Sequence, residues 1–286
     1  MDAPPEQEDC VPFIRVAGYL EAMQLNAPRI IEADLEQGFL LLTDLGSVQY
    51  LANLEEDPSI SARLYDDALQ ALAAMQSRGA AYQSALPPYD SKLLEFELSL
   101  FHDWLCGTHL NINFTGAEEN AWRSLCNLLV GNALDQPQVF VHRDYHSRNL
   151  MVTSNGNPGI LDFQDAVEGP LTYDLVSLLK DCYIQWPPQQ VRQWVGEYHA
   201  RQDESLRNSL AESDFLRHFE LMGVQRHLKA AGIFARLNHR DGKAAYMLDI
   251  PRTLSYVVEL ESRYEELGFL IRLIKERCLP ALVARS

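Results

Sequence analysis

A chain of 286 residues, 47% hydrophobic and 22% charged, can bury a substantial core and is long enough for one large domain or two modest ones. Its 40 acidic residues against 24 basic ones give a net charge of −16, which argues against nucleic acid or an anionic membrane as partner and favours cations. The five cysteines, Cys10, Cys106, Cys126, Cys182 and Cys278, are scattered and never form a C-x-x-C pair, and the start lacks a basic, apolar leader. With no apolar run long enough to span a bilayer, a reducing cytoplasm is the expected setting.

In residues 11–25 the apolar positions Phe13, Ile14, Ala17, Leu20 and Met23 recur at helical spacing until Pro28 bars continuation. Residues 29–33 and 38–43 are short β-rich runs with a turn between them, predicting a strand pair that ends in a linker at Asp44-Leu45-Gly46. Helices are then predicted over 59–77, 93–106 and 118–134. Three brief apolar runs interrupt them, at 139–141, 150–152 and 159–161, and the last two are joined across Asn155-Gly156 as a small hairpin. Helical spacing resumes over 171–184, 189–201, 215–237 and 254–277.

Chemistry concentrates in the interruption. The run Val141-His142-Arg143-Asp144-Tyr145-His146-Ser147-Arg148-Asn149-Leu150 has the form H-x-D-x-x-x-x-N, and Asp162 closes the next apolar strand in Ile160-Leu161-Asp162-Phe163. Phosphoryl transfer is catalysed mainly by positioning and by neutralising charge, so it needs a carboxylate at the acceptor hydroxyl and oxygen ligands for magnesium. Asp144 would orient the hydroxyl and accept its proton, and Asn149, five residues on, would present its amide oxygen to Mg2+. Strand pairing across the hairpin would return Asp162 to the same mouth as a second, charged metal ligand.

These residues resemble the catalytic and metal-binding motifs of the aminoglycoside phosphotransferase and choline-kinase superfamily, relatives of the protein kinases. Together with Asp162-Phe163-Gln164-Asp165-Ala166 and the run from Gly169 to Leu179, they most resemble the bacterial N-acetylmuramate/N-acetylglucosamine anomeric kinases of cell-wall recycling. The resemblance implies an α+β, protein-kinase-like, two-lobed fold. Residues 1–46 would be a truncated small N-lobe with the hinge, and 47–286 a large, mainly helical C-lobe with a small β-hairpin at the catalytic site. It implies ATP and Mg2+ as cofactors and a sugar as acceptor. Asp174 would match the buried Asp that braces the catalytic loop, with His142, Arg143, His146 and Arg148 in supporting positions. The backbone of Leu42, Thr43, Asp44 and Leu45 would meet adenine, and Asp165 and Arg226 are secondary candidates for substrate contact.

Two rival functions follow from the same residues. One is a kinase for an aminoglycoside or choline-like cation, drawn by the acidic surface. The other is a non-catalytic binding module, because no Gly-rich phosphate turn precedes the first helix and the N-terminal part of the nucleotide lobe is missing from the sequence. Simpler readings stand beside several residues. His142 and His146 would converge on zinc only in a helix, which the strand signals oppose. Asp165 also suits a turn former. Arg226, His227, Lys229 and Arg236 share one predicted helix and could meet a carboxylate or phosphate, although a solvated face is the simpler expectation. Trp104, Trp186 and Tyr183 lie at helical spacing, where aromatics usually serve the core.

Overall fold

The computed structural model describes residues 1–4, 6 and 8–284. Helix α1 (Cys10–Ala22) opens on an Asp9 side chain that accepts the Val11 N–H, and it buries Phe13, Val16, Ala17 and Leu20 on one stripe. Strands β1 (Ile30–Asp34) and β2 (Phe39–Leu42) pair antiparallel, with Ile30 opposite Leu42 and Asp34 opposite Phe39. A short helix α2 (Tyr50–Glu56) follows, and a 3₁₀ turn at Pro58–Ile60 leads into α3 (Ser61–Gly79).

Helix α4 (Ser91–Leu100) continues as a π-helix over Phe101–His109, and α5 (Gly116–Leu134) starts with a capping box between Thr115 and Glu118. The three apolar runs are strands β3 (Gln138–Val141), β4 (Leu150–Met151) and β5 (Gly159–Ile160). The last two pair as expected, with Leu150 opposite Ile160 and Met151 opposite Gly159. Their connection is longer than a two-residue turn and contains Asn155, Gly156 and the cis Asn157–Pro158 bond.

Strand β3 pairs with β6 (Val167–Pro170), an element the sequence does not signal. The predicted 171–184 helix is shorter: α6 spans Tyr173–Leu179, every residue of it buried. The chain leaves the helix at Lys180 so that the Asp181 carboxylate can accept the main-chain N–H groups of Tyr183 and Ser147. Helices α7 (Pro188–Ala200), α8 (Glu204–Ser209) and α9 (Glu212–Asp241) come next, and α9 runs through the centre of the core. The predicted 254–277 helix is broken into α10 (Ile250–Val258), α11 (Gly268–Leu273), a π-turn at Ile274–Cys278, and α12 (Leu279–Val283). No described helix is long and apolar enough to cross a membrane.

Candidate active site

The loop between β3 and β4 is fixed before its side chains do anything. Its first two main-chain N–H groups, from His142 and Arg143, donate to the two Asp174 carboxylate oxygens at 2.6 and 3.0 Å. Because β6 pairs with β3, the chain passing from β6 into α6 is carried back beneath the loop, which puts Asp174 there. Burial pushes the Asp174 carboxyl up to about 7, against those two donors. Deeper in the loop, the Tyr145 hydroxyl donates to the Ala68 carbonyl at 2.8 Å, and both the Ser147 N–H and its hydroxyl donate to Asp181, at 3.0 and 2.5 Å.

This scaffold brings the three sequence candidates together. The Asn149 amide nitrogen donates to the Asp144 carbonyl at 3.0 Å and to the Asp162 carboxylate at 3.1 Å. Pairing of β4 with β5 closes that distance, and the Leu161 N–H donating to the Asn149 carbonyl at 2.9 Å extends the ladder by one bond. Arg143 and Asp162 both occupy the left-handed region, with φ of +77° and +61°, a conformation that non-glycine residues adopt chiefly where surrounding structure enforces it. Phe163, next to Asp162, is buried against Phe13 of α1 with ring centroids 4.7 Å apart.

The donor set fits magnesium. Asp162 is exposed, and the Asn149 amide keeps its oxygen clear of both hydrogen bonds made by its nitrogen. One carboxylate and one amide oxygen are hard ligands that leave places for phosphate oxygens and water. Among the described residues no group of three His, Cys, Asp or Glu is arranged to hold a metal ion by itself. Burial pushes the His142 imidazole down to about 4, and its Nδ1 accepts the Asp144 N–H at 3.2 Å.

Asp144 opens onto a cavity of about 190 Å³ that is also lined by Tyr173, Tyr183, Arg226 and Lys229. Burial works against the charge of Asp144, but the nearby cations, Lys229 foremost, outweigh it and hold the carboxyl below its ordinary value. A larger cleft of about 1090 Å³ is lined by Thr43, Asp44, Leu45 and Gly46 and by none of Asp144, Asn149 and Asp162. Thr43 and Arg29 tie the end of the β-ribbon with two hydrogen bonds of 2.9 Å, and Asp44 accepts the Gly46 N–H at 2.8 Å. Among the described residues, the main-chain groups of Leu45 have no partner.

The pattern of the phosphotransferase enzyme family matches residues 1–212. This chain belongs to that family. It is similar to the N-acetylmuramate/N-acetylglucosamine kinase of Pseudomonas aeruginosa, 47% identical over 275 residues that cover 96% of this chain and 80% of the relative. The kinase of the same name from Neisseria meningitidis is 40% identical over 279 residues, covering 96% of this chain and 82% of the relative. Solved structures share the fold. A choline kinase from Cryptosporidium parvum aligns with a TM-score of 0.61 at 15% identity, over 92% of this chain and 80% of that one. The ADP-bound aminoglycoside phosphotransferase APH(2'')-Ib aligns with a TM-score of 0.54 at 16% identity, over 87% and 84%.

Within this phosphotransferase some sequence expectations move. Arg226 and His227 are buried and Lys229 nearly so, which overturns the solvated-face expectation for that stretch of α9. Arg226 reaches the cavity at Asp144, whereas Asp165 lies on a separate cavity of about 240 Å³ with Arg15 and Arg143. Trp104 and Trp186 pack on the core, and Tyr183 lines the Asp144 cavity with the Arg148 guanidinium 3.7 Å from its ring centre. Sequence reasoning missed Glu97, which pairs with Arg143 at 2.7 Å and Lys229 at 2.9 Å and accepts the Tyr89 hydroxyl. It also missed Asp181. Neither lies in a motif, and nothing in a lone helical Glu announces burial.

Proposed function

We propose that this phosphotransferase transfers the γ-phosphoryl group of ATP to a sugar hydroxyl, the anomeric one of N-acetylmuramate or N-acetylglucosamine, in cytoplasmic recycling of cell-wall sugars. The observation that supports this is the Asn149 amide bridging the Asp144 main-chain carbonyl and the Asp162 carboxylate, with the Asp144 side chain on a cavity shared with Arg226 and Lys229. The relatives named for those sugars, at 40 to 47% identity, support the choice of acceptor.

In this reading residues 1–46 form the nucleotide-side lobe, with Leu42, Thr43, Asp44 and Leu45 as the hinge, and residues 47–286 form the lobe that holds metal and acceptor. The unpartnered main-chain groups of Leu45 suit the edge of a purine. Asp144 orients the acceptor hydroxyl and takes its proton as the hydroxyl oxygen bonds to the γ-phosphorus and the bond from that phosphorus to ADP breaks. Asp162 and Asn149 would hold magnesium, which when bound supplies neutralising charge for the phosphates. Asp174 keeps the 142–149 loop in place while His142 and His146 fill its interior. The two cations in the acceptor cavity, Arg226 and Lys229, disfavour the aminoglycoside or choline-like alternative.

The test is a phosphorylation assay with ATP, magnesium and a panel of acceptors, read by phosphorus–proton NMR of the product. Phosphate coupled to the anomeric proton of an N-acetyl amino sugar is the expected result. Phosphate on an aminoglycoside or choline, with the amino sugars untouched, would overturn the reading.

A further inference from the structure

Arg226 is a buried cation that no carboxylate closes in an ion pair among the described residues, although Asp144 and Asp181 lie near enough for their charges to act on it. It is 6% exposed, its Nε has no hydrogen-bond partner, and its Nη1 donates to the Cys182 sulfur at 3.8 Å. Among the described residues no carboxylate lies within ion-pair distance of it, whereas its neighbours Arg143 and Lys229 share Glu97. Burying an unpaired guanidinium is unfavourable, and its planar fork of donors is matched best by a carboxylate. Its side chain lines the same small cavity as Asp144, and Ala230 and Ile233, one and two helical turns further along α9, carry the lining on as an apolar stripe.

We propose that Arg226 binds a carboxylate carried by the acceptor, so that the cavity selects an acidic amino sugar over a neutral one. The proposal rests on the sugar-kinase reading and refines it. A lactyl ether, such as distinguishes N-acetylmuramate from N-acetylglucosamine, brings a carboxylate for the guanidinium and a methyl group for the apolar stripe. Arg226 is here a specificity residue that touches substrate away from the reacting hydroxyl, and it acts before any phosphoryl group is transferred.

The experiment is calorimetric titration of the full chain, without nucleotide, by N-acetylmuramate, by its lactyl carboxamide and by N-acetylglucosamine. The acid is expected to bind about tenfold or more tightly than the carboxamide, the size of one charge-assisted contact. In Arg226→Gln that ratio should fall to within about twofold, and Arg226→Lys should recover part of it. Equal affinity of the wild-type chain for acid and carboxamide overturns the proposal, as does a ratio that Arg226→Gln leaves intact. If Arg226→Gln does not fold, the wild-type comparison decides alone. Binding of N-acetylglucosamine with no advantage to the acid would sink this proposal and spare the sugar-kinase reading; binding of no amino sugar would sink both.

Discussion

Asp144 is a carboxylate kept charged in a place that opposes charge. Burial favours its neutral form, and Lys229, itself held charged by Tyr173 and Glu97 despite its burial, reverses the balance. In the proposed mechanism this makes it a base that is ionised across the neutral range. Asp144→Asn preserves shape and removes the base, so steady-state kinetics should show kcat lower by about 10² to 10⁴ with the sugar KM changed only a few-fold. A normal kcat would move the base to another residue. The nearness of Asp144, Asn149 and Asp162 was legible from spacing alone, since H-x-D-x-x-x-x-N is followed by a strand-end Asp across a hairpin. The left-handed backbone at Arg143 and Asp162 was not legible, because neither residue is a glycine and only the surrounding hydrogen bonds enforce it.

At the scale of elements, periodicity located the long helices, because each buries a regular stripe, and composition located the β-ribbon, which buries little beyond Leu40. It failed where tertiary contacts override local preference. Strand β6 reads Val-Glu-Gly-Pro, which has no strand signature, and exists because β3 needs a partner. The stretch of α9 from Arg226 to Lys229 looks solvated in sequence, yet Arg226 and His227 are buried and Lys229 pairs with buried Glu97. A third failure is the π-helix after α4. There α9 approaches so closely that a Cβ on Gly232 would lie within 2.5 Å of the Leu100 carbonyl oxygen and the Phe101 nitrogen. Backbone cannot yield as a side chain can. Gly232→Ala should therefore cost about 3 kcal/mol or more in urea unfolding, although alanine is the better helix former. A stabilised variant would mean that the two helices can part freely.

For the whole molecule, Glu97 joins elements far apart in sequence: it sits on α4, pairs with Arg143 in the 142–149 loop and Lys229 on α9, and accepts from Gln225 at 3.1 Å. Burial opposes its charge, but Lys229 and Arg143 outweigh burial and hold its carboxyl below the ordinary 4.5. A carboxyl depressed in the folded state binds fewer protons than in the unfolded one, so its contribution is complete above about pH 4.5 and fades as pH falls through the lower, folded value. Urea midpoints measured from pH 7 down to pH 3 should show this acid loss in the native chain and a shallower one in Glu97→Gln, which begins less stable. Parallel pH profiles would remove Glu97 from the acid response. The fastening of the loop by Asp174 has its own corollary. Both amide hydrogens it holds, on His142 and Arg143, point into a helix with no exposed residue. Deuterium should enter them only as fast as the entire domain opens, and heat inactivation should track the loss of tertiary structure rather than precede it. Early exchange at those two amides would reveal a loop that breathes while the rest of the protein stays shut.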